Sequence, residues 1–346
     1  MNVGQAKAAA RAWAQADASA LAGFQGALIH GSSVWLPDDA AFPAASDIDV
    51  LIVLDGALPP VKRGKFRYRD VILDVAELAA DEIATPEQIL GQSHLAGSFQ
   101  APSVIADPTG RLTMLQAAVA RDYAKLGWVE RRREDARDKA LRYLPSIDAA
   151  DSWPEQVTSW LFAAGVTTHI LLVAGLRNPT VRRRYLATRN LLGEYGRRDA
   201  YEPLLELLGC AHMTRPRVEG HLAALADAFD AAKEVVATPF VFAGDISDRA
   251  RPIAIDGSRA MIEAGDHREA VFWIAATYCR CQQIFERDAP AELRRAFDPG
   301  YRRLLADLGV ASPADLRQRG ERVATALPWI WQVADEIIAA NPTIVR

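Results

Sequence analysis

Two short motifs near the start of the chain carry groups that could do chemistry together. Gly31-Ser32 follows one apolar run, and Asp47-Ile48-Asp49 leads into another. Residues two apart in a strand point to the same side, so Asp47 and Asp49 are predicted to share one face while Ile48 enters the core. Adjacent carboxylates repel each other unless a cation neutralises them. Mg²⁺ suits this role because it takes one or two carboxylates together with phosphate oxygens.

The residues of the Gly-Ser motif suit phosphate. Glycine permits close backbone approach, and the N–H groups of a turn and a serine hydroxyl can donate to anionic oxygens. Gly31, Ser32 and Ser33 are therefore the residues expected at the phosphates. Together with the carboxylates they predict a site for a metal-bound nucleoside triphosphate.

A third carboxylate is predicted on a neighbouring strand. Two apolar runs flank Arg69-Asp70, a pattern typical of a hairpin. Asp74 interrupts the second run, where an unpaired carboxylate is costly, so it either has a partner or faces water at a strand edge. Glu77 is the alternative, but three residues from Asp74 it should point to the opposite face of a regular strand.

These residues resemble a known family. Gly31-Ser32, a spacer and Asp47-Ile48-Asp49 between hydrophobic strands resemble the nucleotidyltransferase superfamily of DNA polymerase beta, in particular the small bacterial aminoglycoside and lincosamide nucleotidyltransferases. The likeness covers roughly residues 20–80. The spacer of fourteen residues, 33–46, is slightly longer than usual in the family. Its prolines and acidic turn formers indicate a loop, which tolerates insertion.

The resemblance implies an Mg²⁺-dependent enzyme that transfers a nucleoside monophosphate to a small molecule. ATP, or another nucleoside triphosphate, would supply AMP to a hydroxyl of an acceptor such as an aminoglycoside-like antibiotic. By resemblance, Asp47, Asp49 and Asp74 are the catalytic and metal-ligating residues, with two ions about 3.5–4 Å apart at the α-phosphate. Asp74 would ligate the second ion or act as general base on the acceptor.

Two other functions stay open. A protein-adenylylating or antitoxin-type nucleotidyltransferase would modify or silence a partner protein, although this chain carries its own large helical region. The nearest approach to a fused ribonuclease signature runs from Arg215 to His221, and Pro216 stands where that signature has a polar residue. A noncatalytic nucleotide-binding protein would keep the pocket, but binding alone does not require three carboxylates.

Composition indicates an ordinary soluble protein. The chain has 346 residues, of which 50% are hydrophobic and 24% charged, and two domains are expected. No continuous apolar run reaches the roughly 18–20 residues of a membrane helix, and the start lacks signal-peptide features, so a cytoplasmic location without membrane contact is predicted. Cys210, Cys279 and Cys281 fit buried thiols in a reducing compartment.

The charge distribution disfavours nucleic acid as a partner. Residues 1–115 carry 8 Lys+Arg and 13 Asp+Glu, and the remainder carries 32 and 31, so neither part is strongly basic. The arginine cluster 131–133, among neighbouring acids, is interpreted as a salt-bridged helix face. The cluster 182–184 is interpreted as a solvated helix face, with contact to triphosphate or to an acidic surface of the first domain as the alternatives. The charged segment 245–269 fits either a domain-interface network or a pocket for a cationic acceptor. The residue pattern leaves the oligomeric state open.

The pattern of elements predicts the α+β class. A small mixed β-sheet nucleotidyltransferase domain, residues 1–115, is expected to precede a larger, mainly α-helical domain, residues 116–346. Thr85 should cap a helix that begins at Pro86. Strands are predicted near 26–30, 48–54, 66–77 and 103–106 after a helix over 2–22, and later helices over 111–144, 154–175, 180–195, 200–209, 215–237, 258–287, 291–307 and 313–340.

Overall fold

Five strands form one mixed sheet in the computed structural model, which describes all residues, 1–346. The order across the sheet is β3-β4-β2-β1-β5. β2 and β4 are parallel, and every other neighbouring pair is antiparallel. The strands are β1 (Phe24–His30), β2 (Ile48–Leu54), β3 (Gly64–Tyr68), β4 (Val71–Ala79) and β5 (Val104–Ala106). Together with the helices, this sheet confirms the predicted α+β class.

The long helices follow the predicted segments, but the helix predicted over 2–22 ends at Ala16, and the short helices Ala96–Gln100 and Ser146–Ala149 were not predicted. The segment predicted as 111–144 is two helices, and so is 258–287, which breaks where Gly265 takes a φ of +91°. The predicted cap at Thr85 is confirmed, since its side chain accepts from the N–H of Gln88. The helices are α1 (Val3–Ala16), α2 (Pro86–Leu90), α3 (Ala96–Gln100), α4 (Arg111–Asp122), α5 (Leu126–Tyr143), α6 (Ser146–Ala149), α7 (Trp153–Ala174), α8 (Arg184–Glu194), α9 (Tyr201–Leu208), α10 (Arg215–Val235), α11 (Gly257–Glu263), α12 (His267–Asp288), α13 (Ala291–Asp307) and α14 (Pro313–Ala340).

The chain divides into two compact units. The first comprises residues 1–132, 176–179 and 342–346, and the second comprises 133–175 and 180–341. The first unit contains the whole sheet, and the second has no strand. The division falls within α5 rather than at the predicted residue 115, because α4 packs its apolar side chains into the core of the first unit.

Helices cover both faces of the sheet. On one face, Trp13 of α1 packs into a core cluster with Val50 and Ile52 of β2. On the other, Val53 of β2 and Leu78 of β4 belong to a cluster with side chains of α2, α3 and α4. By strand alternation, Asp47, Asp49 and Asp74 have the parity of this second face.

Two of the three arginines in the cluster 131–133, Arg132 and Arg133, do not lie on the salt-bridged surface that the sequence suggested. Arg132 is only 1% exposed, and its guanidinium donates to the carbonyls of Leu90 at 3.2 Å and Tyr123 at 2.6 Å. Arg133, the first residue of the second unit, is also buried and forms an ion pair with Asp335 of the same unit. The neighbouring acids in the sequence predicted surface pairs, but Arg132 instead donates to backbone carbonyls, and the carbonyl of Leu90 lies 42 residues away in the chain.

Replacing Arg132 by Met should destabilise the first unit by about 3 kcal/mol, because two carbonyls lose buried, charge-assisted donors. Denaturant unfolding of both proteins measures this loss. The matched control is Arg121→Met, since the Arg121 side chain is 72% exposed and should leave the unfolding free energy unchanged. Equal stability of the Arg132 variant and wild type would contradict the role of this side chain.

Helix α7 is long and apolar enough to cross a membrane, with a mean hydropathy of 1.6. The sequence of this helix has no continuous apolar run of membrane-spanning length because Thr167, Thr168 and His169 interrupt it. In the structure, 89% of its most apolar window is buried inside the protein. This burial is that of the core helix of a soluble protein, while the cytoplasmic location stays a prediction.

The three cysteines are free and buried, as their number and spacing predicted. Burial is the largest cause that raises the pKa of Cys279, to about 11. A thiol protonated at neutral pH is a poor nucleophile and a poor metal ligand. Cys210, Cys279 and Cys281 are therefore structural side chains of the second unit.

Candidate active site

The three predicted carboxylates converge in the first unit. One oxygen each from Asp47, Asp49 and Asp74 lies within 4.8 Å of the others. Asp47 immediately precedes β2, Asp49 lies on it, and Asp74 is the direct partner of Asp49 in the parallel pairing of β2 with β4. Parallel register and strand alternation together place all three side chains on one face.

Gly31 lies against this cluster. Its φ of +70° falls in the left-handed region, and a Cβ at this position would lie 2.2 Å from Oδ2 of Asp49. The approach follows from the pairing of β1 with β2, in which His30 is the partner of Asp49. Glycine is therefore required here for both backbone conformation and space.

The two serines of the motif differ in their surroundings. Ser32 is exposed at the turn and can meet a ligand. Ser33 was expected at the phosphates, but its side chain is only 2% exposed and its hydroxyl donates to the carbonyl of His30 at 3.3 Å. The turn that follows β1 directs this side chain into the protein, so only Gly31 and Ser32 of the three residues remain candidates for the predicted phosphate contact.

Asp49 is the carboxylate that is hardest to ionise. Burial raises its pKa well above the ordinary range, and the charges of Asp47 and Asp74 add to the effect. Lys65 and Lys62 oppose it by favouring the ionised form. A cation placed beside Asp49 would relieve the same cost, because an opposite charge stabilises a carboxylate.

Sequence reasoning missed two lysines at the cluster. Lys65 lies with its Nζ 3.0 Å from Oδ2 of Asp47 and forms a closer ion pair with Asp74. Lys62 lies 3.2 Å from Oδ1 of Asp74. A signal for Lys65 was present, because a two-residue turn at Arg69-Asp70 makes it the cross-strand partner of Asp74.

Two further residues support the Gly-Ser turn. The Nδ1 of His30 lies 2.7 Å from the hydroxyl of Ser98. Burial, reinforced by His94, lowers the pKa of His30 to about 4, so its ring is neutral at pH 7. Asn178 donates from Nδ2 to the carbonyl of Gly31 at 3.2 Å. No sequence signal indicates Asn178, since it lies far along the chain in the short segment 176–179 that belongs to the first unit.

The donor set fits a hard divalent cation. Converging carboxylates at this spacing supply the oxygen ligands that Mg²⁺ prefers, and the cluster is only partly exposed. The glycine turn beside Asp49 leaves room that any side chain would fill. An ion held by these oxygens would lie next to backbone N–H groups suited to phosphate.

Glu77, the alternative third carboxylate, lies elsewhere. Its partner across the parallel pairing is Ile52, which belongs to the cluster on the α1 face. It accepts from the backbone N–H of Arg63 at 3.3 Å and lies 3.6 Å from the Nε of the same residue. The predicted opposite orientation of Asp74 and Glu77 is therefore present.

We expect Asp74→Asn to reduce the predicted nucleotide transfer far more than Glu77→Gln, because only Asp74 belongs to the carboxylate cluster. Steady-state transfer rates of the two isosteric variants provide the comparison, with unfolding curves to show that both are folded. A larger loss from Glu77→Gln would mean that the strand register of the site is wrong.

Most charged residues of segment 245–269, together with Arg217 and His221, form ion pairs within the second unit. Arg189 binds both Asp266 and Glu269 at 2.6 Å, and the other ion pairs of segment 245–269 also close within this unit. His221 lies 2.6 Å from Asp307, and Arg217 pairs with the same carboxylate. These ion pairs connect helices of the second unit. The residues that form them therefore support neither a pocket for a cationic acceptor nor a ribonuclease site.

Comparison with known proteins provides no family for this chain. No family model, no curated protein and no solved structure matches it. Function must therefore be inferred from the carboxylates and the residues around them.

Proposed function

We propose that this protein is an Mg²⁺-dependent nucleotidyltransferase that transfers a nucleoside monophosphate, AMP from ATP, to a hydroxyl of a small molecule. The observation that carries the proposal is the convergence of Asp47, Asp49 and Asp74 within 4.8 Å beside the Gly31 turn. The resemblance of the motif to the polymerase beta superfamily supports the same activity.

The reaction exchanges one bond at the α-phosphorus for another. The acceptor oxygen forms a bond to phosphorus, the bond to the bridging oxygen of the β-phosphate breaks, and pyrophosphate leaves with that electron pair while the acceptor proton passes to a base. A divalent cation supplies neutralisation of phosphate charge. Asp47 and Asp49 would hold it, and the turn at Gly31 and Ser32 would donate to phosphate oxygens.

The small-molecule acceptor is proposed from the resemblance and from charge. The first unit has no basic excess for a nucleic-acid strand, with 8 Lys+Arg against 13 Asp+Glu over residues 1–115. An aminoglycoside-like acceptor is the class to screen first. Because most acids of segment 245–269 form ion pairs with arginine or lysine residues of the second unit, they are not the basis for this choice.

Calorimetric titration with ATP and then GTP, with and without Mg²⁺, tests the proposal. Wild type should bind nucleotide only with Mg²⁺, and the Asp47→Asn/Asp49→Asn variant should lose this binding. Asp55→Asn is the matched control, since Asp55 is exposed beyond the other end of β2. Magnesium-independent binding, or equal binding by the double variant, would contradict the proposal.

A further inference from the structure

Lys65 places a fixed positive charge inside the carboxylate cluster. Its side chain is 8% exposed, and its ammonium bridges Asp47 and Asp74. Lys62 adds a second ammonium on Asp74, at 3.2 and 3.3 Å from its two carboxylate oxygens. Cations of the chain itself therefore already neutralise this side of the cluster.

The position of Lys65 is set by the sheet. It is the direct partner of Asp74 in the antiparallel pairing of β3 with β4, and the next residue, Phe66, packs against the core cluster on the opposite face. Withdrawing the ammonium would leave two partly buried carboxylates facing each other without this cation, which is costly. Lys65 is thus a built component of the cluster rather than a mobile surface side chain.

Asp49 differs from its two neighbours. Lys65 and Lys62 form close ion pairs with Asp47 and Asp74, whereas Asp49 lies against the Gly31 turn. Because the ammonium of Lys65 occupies the gap between Asp47 and Asp74, a divalent cation fits beside Asp49, next to the Gly31 turn.

An ammonium and a divalent ion cannot share the gap between Asp47 and Asp74. Mg²⁺ requires its oxygen ligands at about 2.0–2.1 Å, and Lys65 already uses Oδ2 of both residues. The charge count leads to the same conclusion. Three carboxylates with two divalent ions carry a net charge of +1, and three carboxylates with two ammonium groups and one divalent ion carry the same charge.

We infer that this chain binds one divalent ion with its nucleotide, at Asp47 and Asp49, and that the ammonium of Lys65 takes the position of the second ion between Asp47 and Asp74. The inference rests on the proposed function and replaces the two-ion arrangement expected from the resemblance. Asp74 then acts as a positioning residue that holds Lys65 and Lys62. Lys65 supplies fixed positive charge at the place where enzymes of the superfamily that the motif resembles would hold a second metal ion.

Counting bound Mn²⁺ tests this inference without measuring turnover. The full chain is titrated with Mn²⁺ together with an equimolar non-hydrolysable ATP analogue, and electron paramagnetic resonance measures the free ion. Wild type should bind one ion per chain, and Lys65→Met should bind a second ion in the vacated gap. Lys65→Arg keeps the positive charge and should bind one. Lys7→Met, which frees Asp38, a 73% exposed carboxylate that does not belong to the cluster, is the control for releasing any carboxylate and should also bind one.

The wild-type count decides the question even if the Lys65→Met variant fails to fold. Two ions bound by wild type would overturn the inference and leave the proposed function standing. A folded Lys65→Met variant that still binds one ion would overturn the position assigned to the ammonium. No ion bound by wild type with the analogue would overturn the proposed function and, with it, the inference.

Discussion

Asp49→Asn should abolish nucleotide transfer and leave the protein at least as stable as wild type. The substitution keeps shape but removes an anionic ligand, so we expect a loss of about 10³-fold or more, equivalent to about 4 kcal/mol in the barrier. The free energy of unfolding should increase, because burial and the two neighbouring carboxylates oppose ionisation of Asp49 in the folded protein. Removing that charge relieves a cost present at neutral pH.

The pH dependence of this stability gain follows from the direction of the shift. Because the folded pKa of Asp49 is raised, the folded state binds a proton more tightly than the unfolded state does. Below the ordinary Asp value of about 3.9 the residue is protonated in both states, and the variant should match wild type. As the pH rises from about 3.9 to the raised pKa of Asp49 in the folded protein, the wild-type protein loses stability. Over this range the Asp49→Asn variant therefore becomes more stable than wild type.

Transfer assays and denaturant unfolding at several pH values test both expectations in the same preparations. Asp55→Asn makes the same chemical change beyond the other end of β2 and should alter neither property. Full activity in Asp49→Asn would remove Asp49 from the site. A loss of activity accompanied by a loss of stability would indicate misfolding rather than a missing ligand.

Gly31→Ala should impair both the fold and the site. A φ of +70° is unfavourable for alanine by about 1–2 kcal/mol, and the new methyl group would meet Oδ2 of Asp49 at 2.2 Å. The carboxylate must move away, and a displacement of about 1 Å at a reacting centre is expected to reduce transfer about 10²-fold. We therefore expect lower unfolding free energy together with weaker Mg²⁺-dependent nucleotide binding.

Gly110→Ala separates backbone strain from the collision with Asp49. Gly110 has nearly the same conformation, with a φ of +74°, but a Cβ there would meet nothing within 4 Å. This variant should lose only the strain energy and keep full nucleotide binding, as measured by urea unfolding and calorimetry. If both variants lose the same stability and both bind nucleotide normally, the approach of Gly31 to Asp49 has no functional role.

Much of the sheet could be predicted because its signals are local. The alternation around Asp47-Ile48-Asp49 placed the two carboxylates on one face, and the structure keeps Ile48 fully buried. The turn at Arg69-Asp70 indicated the hairpin whose second strand carries Asp74. The same turn also determines that Lys65 faces Asp74.

The sequence by itself determined the strand alternation, the hairpin and the helix cap, because each depends on residues a few positions apart. Only the tertiary structure decided that Asn178 reaches the carbonyl of Gly31, and that Arg132 is buried against carbonyls rather than paired at the surface. The packing of the strands likewise decides that the ammonium of Lys65 lies between Asp47 and Asp74. The physical reason is that burial and the choice of partner for a charge depend on which distant segments pack together, and local spacing does not encode that packing.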